Sequence, residues 1–254
     1  MTYTDLIFDL YGTLVDIHTE ENDLVWEKTA LYFGFYGAAY SGPELKAAFQ
    51  NAMHNREAQA GQSYECFPDI PFEEIMKELF IAHGVKENTD TLSLNAAQVF
   101  RISSIEYICL YPHVKAALNT LKENGYRLWL LSNAQRAFTA YELRLLGLDH
   151  CFDGIYISSD YMCRKPDVRF FMALIDAQQL DPAKCLMIGN DRTTDIAGAQ
   201  TAGLATLYMH TNLTPADQEP ATPALHPKNT ALNCRSFEYE GWDWNELTEL
   251  ICNL

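Results

Sequence analysis

The chain has 254 residues, 48% of them apolar, which suffices for one large domain or two modest ones around a sizeable core. A formal charge of −16 argues against nucleic acid and against an anionic membrane surface as partners, because both need a basic face to displace counterions. No run of about 18 apolar residues offers a membrane span, and Met1-Thr2-Tyr3-Thr4-Asp5 lacks the basic segment of a secretory leader, so a cytoplasmic protein is expected.

In chain order, the first element is a short apolar strand over residues 6–8 that stops at Asp9, followed by a turn at Gly12. A carboxylate displayed where a buried strand ends is placed to serve as nucleophile or metal ligand, although many strands end in a merely solvated Asp. Residues 17–107 offer helical patterns and no convincing strand. Ser41-Gly42-Pro43 and Asp69-Ile70-Pro71 mark helix starts, and Gly84 is placed to end a helix over 72–83. This insert holds six Lys and Arg against fourteen Asp and Glu, half of the chain's negative excess, which reads as a solvated helical face.

From there the pattern alternates. Strands are expected over 127–131, 154–157, 185–188 and 205–209, with helices over 113–124, 135–146 and 167–180. The first two helices close on Gly125 and Gly147, and the third starts after Pro166. Such alternation predicts an α/β fold with a parallel sheet covered on both faces, whose chemistry collects beyond the carboxyl ends of the strands. Residues 211–230, with four prolines, read as a surface loop, and 236–254 as a last strand and helix.

Seven cysteines form no CxxC pair and several sit in apolar runs, so neither disulfides nor a zinc site is expected. The histidines at 54, 83, 113 and 210 show no metal-binding spacing. A small anionic substrate remains compatible with the charge if a few local donors or a cation hold it.

Three later strand ends add polar groups. Ser132-Asn133 offers a hydroxyl and an amide where the helix near Gln135 begins, and its amides could face an anion. Lys165 stands just before a helix start. Gly189-Asn190-Asp191-Arg192-Thr193-Thr194-Asp195 sets two carboxylates four residues apart, able to face one cavity and orient a divalent cation, or equally to complement a helix dipole.

In this order, Asp9-x-Tyr11-Gly12-Thr13, Ser132-Asn133, Lys165-Pro166 and Gly189-Asn190-Asp191-x-x-x-Asp195 resemble the four signature motifs of the haloacid dehalogenase-like (HAD) hydrolase superfamily. The resemblance implies a Rossmann-like parallel-sheet core with helices on both faces over 1–16 and 108–254. It also implies a small all-helical cap of the first type over 17–107. Asp9 would be a nucleophile that forms a covalent aspartyl intermediate. Thr13 belongs to the same motif. Ser132, with the main chain around Asn133, would bond the transferring group, and Lys165 would let two anions meet. In the phosphatase branch Mg²⁺ would be held by Asp9, the Tyr11 carbonyl and Asp191, with Asp195 orienting that site.

Tyr11 departs from the phosphatase pattern, which carries there an Asp acting as general acid and base. A phenol with an ordinary pKa near ~10 is a poor base at neutral pH. The Asp-x-Tyr form resembles the true 2-haloacid dehalogenases, whose leaving halide needs no proton. The fourth motif resembles the phosphatases instead, and no Arg stands early in the cap, where dehalogenases hold one; the first is Arg56. A Mg²⁺-dependent phosphatase for a small phosphorylated metabolite is therefore expected, suited to leaving groups that need little protonation, with a monomer or homodimer as its state. The runner-up is a metal-independent dehalogenase. A phosphonate hydrolase would need a cap lysine such as Lys28 or Lys46 in the site, and an inactive binding protein with the same fold is the non-enzymatic alternative. Asp16, a conceivable substitute acid, reads as a hinge or loop residue.

Overall fold

A computed structural model describes residues 2–60, 67–215 and 234–254. In chain order the elements are β1 (Asp5–Phe8), β2 (Val15–Thr19), α1 (Asp23–Phe35), α2 (Gly42–Gln59), α3 (Phe72–Ala82), α4 (Thr89–Ser104) and β3 (Ile105–Leu110). There follow α5 (Val114–Glu123), β4 (Arg127–Ser132), α6 (Arg136–Leu146), β5 (Gly154–Ile157), α7 (Ser158–Tyr161), α8 (Val168–Gln178), β6 (Cys185–Gly189), α9 (Ala197–Thr201), β7 (Ala205–His210), β8 (Ser236–Glu240) and α10 (Trp244–Cys252).

Six strands form one parallel sheet in the order β5-β4-β1-β6-β7-β8. Side chains alternate across it with the two-residue period of a strand. Leu6, Phe8, Leu128, Leu130, Leu186 and Ile188 pack on one face with α5 and α10, while Ile7, Trp129, Leu131, Cys185 and Met187 pack on the other with α8 and α9. Burial on both faces explains why the strands read as continuous apolar runs. β1 lies between β4 and β6, so the chain leaving it at Asp9 emerges in the middle of the sheet's carboxyl edge.

Helices α1 to α4 enclose a second apolar cluster containing Trp26, Phe33, Phe49, Met76, Phe80 and Phe100. At roughly 1.5–3 kcal/mol per fully buried large side chain, the insert has a core of its own. α2 starts with the Ser41 and Glu44 capping box and Pro43 in its first turn. Pro71 gives α3 no side-chain cap; the Phe72 amide donates instead to Gln135 Oε1 across the boundary, at 2.8 Å.

The insert is not purely helical. β2 and β3 pair antiparallel, Val15 opposite Leu110 through Thr19 opposite Ile105, so strand residues stand at both of its ends. Each strand is short and only partly buried, and its partner lies about ninety residues away, so no apolar run announces it. Asp16 is a strand residue of this ribbon and accepts hydrogen bonds from Tyr107 and Asn212, which corrects the reading of it as a loop residue. Most of the expected 211–230 loop lies outside the described residues, whereas β8 and α10 appear where a strand and a helix were expected. Among the described residues no helix is long and apolar enough to cross a membrane.

Candidate active site

Asp9, at the end of β1, is buried, and its amide donates to the Ile188 carbonyl of β6. Its carboxylate has two neighbours: Oδ1 lies 2.7 Å from Lys165 Nζ, and Oδ2 lies 3.3 Å from the Thr13 hydroxyl. Gly12 makes the intervening turn with φ +85, and a Cβ there would meet Asn190 Nδ2 at 2.3 Å, so only glycine suits the position.

Lys165 is almost wholly inaccessible. Its ammonium has three donors, and three acceptors receive them: Asp9 Oδ1 at 2.7 Å, Asp195 Oδ1 at 2.7 Å and the Leu131 carbonyl at 2.8 Å. Burial works against the charge, but Asp195 and Asp9 outweigh it and hold the ammonium protonated. Burial, together with the charge of Asp9, pushes the Asp195 carboxyl above the usual range against the pull of Lys165. The Lys165 main chain is clamped by Asn133, whose Oδ1 accepts from Lys165 N at 2.8 Å while its Nδ2 donates to Lys165 O at 3.0 Å. The Lys165-Pro166 peptide is cis.

Ser132 ends β4 fully buried, and its Oγ has no hydrogen-bond partner among the described residues. Two amides near the start of the neighbouring helix are engaged within the protein: Ala134 N donates to Ser158 Oγ at 2.8 Å and Arg136 N to Ser159 Oγ at 2.9 Å. Ser159 thus bonds the first amide of α6, and Ser158 that of the residue two positions before it.

Beyond β6 the chain makes a π-helical turn over Arg192–Ile196. Asp195, inside this turn, accepts the Asp191 amide at 3.0 Å with the oxygen that does not face Lys165. Asp191 Oδ1 caps the turn by accepting from Thr193 N, Thr193 Oγ1 and Thr194 N. Asn190 carries no role in the sequence reading, yet it is buried against the nucleophile turn. Its Oδ1 lies 3.2 Å from the Thr13 hydroxyl and its Nδ2 donates to the Leu213 carbonyl. Two more bonds fix the same turn: Thr211 Oγ1 to Gly12 O, 2.7 Å, and Trp244 Nε1 to Thr13 O, 3.2 Å.

One cavity of about 220 Å³ is bordered by Asp9, Tyr11, Asn133, Lys165, Asn190, Asp191, Thr194, Asp195, Leu213 and Pro215, whereas Thr13 and Ser132 are fully buried and do not border it. Asp9, Asp191 and Asp195 against Lys165 leave it two formal negative charges. The Asp9 and Asp191 carboxylates and Tyr11 in one lining, with that charge, offer the hard oxygen donors a small divalent cation requires, so the residues fit Mg²⁺. Among the described residues no three His, Cys, Asp or Glu side chains cluster as a metal site, and a cation here would draw on a main-chain carbonyl.

The Tyr11 side chain turns elsewhere. Its hydroxyl donates in a short hydrogen bond to Glu142 Oε2 and lies 3.0 Å from Thr139 Oγ1. Burial, and then the neighbouring Glu142 charge, drives its pKa far above the ordinary phenol value, so it stays protonated. Arg101 of the insert bonds both oxygens of Glu142 and stacks over the Tyr11 and Phe138 rings. Neither Arg101 nor Glu142 stands out as a site residue in the sequence. The only trace is a Glu on the inward stripe of α6, among Ala137, Thr139 and Leu143.

A buried carboxylate and a buried lysine brought together at the carboxyl edge of a parallel sheet form the kind of site an α/β enzyme carries there. A family model for haloacid dehalogenase-like hydrolases matches residues 6–203, and the chain belongs to that family. Over 109 residues it is 31% identical to the glyceraldehyde 3-phosphate phosphatase of Methanothermobacter thermautotrophicus, over 43% of this chain and 48% of that protein. The chain thus spans about half the length of that relative. It is 25% identical over 225 residues to the N-acylneuraminate-9-phosphatase of Homo sapiens, covering 82% of each. The crystal structure of a HAD phosphatase from Thermococcus onnurineus superposes with a TM-score of 0.59 at 18% identity, over 98% of this chain and 97% of that one. At that identity the likeness shows the fold.

Proposed function

We propose that the chain is a Mg²⁺-dependent phosphatase for a small phosphorylated metabolite, working through a covalent aspartyl-phosphate on Asp9. The observation that carries this reading is the pairing of Asp9 with a fully buried Lys165 at a cavity that Asp191 also lines. A free Asp9 oxygen lone pair attacks phosphorus, the bond from phosphorus to the leaving oxygen breaks, and water then cleaves the acyl phosphate. Lys165 pairs with the nucleophile and offsets substrate charge, while the Ser132 hydroxyl, without a partner among the described residues, is available to a transferring phosphoryl oxygen. Asp9, the Tyr11 carbonyl and Asp191 would hold Mg²⁺, which when bound neutralises phosphoryl charge. Asp195 fixes both Lys165 and the Asp191 backbone. In the same reading residues 17–107 form a cap that sets substrate choice over a core of 1–16 and 108–254.

The Tyr11 phenol, protonated and engaged with Glu142, supplies neither a proton to the leaving group nor a base for water. Substrates with acidic leaving groups, such as acyl or aryl phosphates, suit this site best. The same tyrosine favours a second reading, a metal-independent 2-haloacid dehalogenase. A phosphonate hydrolase gains no support, since Lys28 is exposed and Lys46 pairs with Asp23.

The test is hydrolysis of an aryl phosphate and of a short 2-haloacid by one purified preparation, each with Mg²⁺ and with EDTA, with Asp9→Asn as the blank. Metal-dependent phosphate release is expected. Halide release that persists in EDTA would assign the chain to the dehalogenases.

A further inference from the structure

Glu142 is a core carboxylate that the proposed chemistry does not use, and its surroundings are unusual. Its side chain is 5% exposed, and both oxygens are engaged: Oε1 accepts from Arg101 Nε at 2.7 Å, while Oε2 accepts from Arg101 Nη2 at 3.1 Å and from the Tyr11 hydroxyl. The three partners come from three places. Arg101 lies in the last turn of α4, Glu142 on the inward face of α6, and Tyr11 two residues after Asp9. A buried ion pair is weak evidence of stabilisation, because desolvating both ions cancels much of the attraction, so such a pair is better explained by the geometry it imposes.

We propose that Glu142 is a positioning residue: by holding Tyr11 and Arg101 on one carboxylate, it makes the orientation of the Asp9 loop depend on the seating of the insert. This rests on the reading of Asp9 as nucleophile for its kinetic consequence, though not for the coupling itself. Tyr11 acts as a tether. The amides of its loop are hydrogen-bonded, Gly12 N to Val15 O and both Leu14 N and Val15 N to Leu10 O, so loosening the loop has a direct readout in amide exchange. A nucleophile misplaced by about 1 Å loses on the order of 10²-fold in rate while substrate binding is largely kept.

Glu142→Gln keeps the side chain's shape but cannot hold both partners with charge, and Tyr11→Phe removes the tether alone while leaving the main-chain carbonyl. Hydrogen exchange on the full chain should quicken at least about tenfold over residues 10–15 in both variants and over the end of α4 in Glu142→Gln, with the amides of β6 unchanged. On an aryl phosphate kcat should fall about 10- to 100-fold with KM within about threefold, and Tyr11→Phe/Glu142→Gln should be no slower than Glu142→Gln alone. Unaltered exchange over 10–15 in a folded Glu142→Gln, or independent multiplication of the two effects, would overturn the proposal and leave Glu142 a plain structural partner of Arg101. If Glu142→Gln does not fold, Tyr11→Phe decides on exchange. If the wild-type protein turns over no phosphate, the proposed function fails while the exchange arm still tests the coupling.

Discussion

Lys165 Nζ stands 2.7 Å from Asp9 Oδ1 and at the same distance from Asp195 Oδ1, so one buried ammonium joins the first strand end to the fourth motif. Removing it would leave two carboxylates facing each other without a counter-ion. Lys165→Met is expected to cost about 3–5 kcal/mol of stability as well as all turnover. Asp9→Asn should lose turnover as completely at about 1 kcal/mol or less, since the amide oxygen still accepts from Lys165. Urea denaturation of both variants separates the two cases, and equal midpoints would mean the triad is not electrostatically coupled.

Asp191 has two jobs to distinguish, capping the π-helical turn and, in the proposed function, holding Mg²⁺. Asn caps as well as Asp does, so Asp191→Asn should keep stability within about 0.5 kcal/mol while losing a full ligand charge. Wild-type protein is expected to gain thermal stability on Mg²⁺ titration, and the variant to gain little or none. An unchanged Mg²⁺ response in Asp191→Asn would remove this residue from the metal set.

The residues that can be read from the sequence are those fixed by local pattern. Asp9, Ser132, Lys165 and Asp195 stand at strand ends or turns whose position follows from apolar periodicity and glycine or proline punctuation, and the structure gathers them at one sheet edge. What escapes depends on contacts between distant segments. Arg101 and Glu142 lie 41 residues apart on helices whose packing no periodicity predicts. Asn133 looks like an ordinary cap until its amide is seen bonding both main-chain groups of Lys165. The β2–β3 ribbon is hidden for the same reason: each strand makes sense only beside a partner at the far end of the insert.

Asp69 gives the pH prediction. It is buried where the insert meets the core, accepting from Gln135 Nε2 at 2.8 Å and from Ser158 Oγ, and burial raises its pKa despite those bonds. A carboxyl whose folded pKa lies above its unfolded value contributes its full stability below the unfolded pKa and loses it as pH rises through the folded one. Asp69→Asn, which cannot ionise, should therefore match or fall below wild type near roughly pH 4 and gain on it toward pH 7. Denaturation midpoints across that range check the sign; a wild-type advantage that grows with pH would show that the hydrogen bonds outweigh burial.

Gly189 tests the geometry of the site by sterics alone. It ends β6 in ordinary strand conformation, so alanine imposes no backbone strain there, but its Cβ would meet Asp195 Oδ2 at 2.3 Å. Because Asp195 also bonds Lys165 and the Asp191 amide, the carboxylate cannot yield without disturbing both. Gly189→Ala should thus cost about 1–3 kcal/mol from overpacking and on the order of 10²-fold in kcat. Gly34, in α1, is the control, because a methyl group added there would meet no neighbouring atom within 4 Å outside its own helix backbone. Gly34→Ala should leave turnover alone and gain up to about 1 kcal/mol of helix stability. Aryl phosphate turnover and urea midpoints on the pair decide the matter, since an active Gly189→Ala would mean that Asp195 can leave Lys165 without consequence.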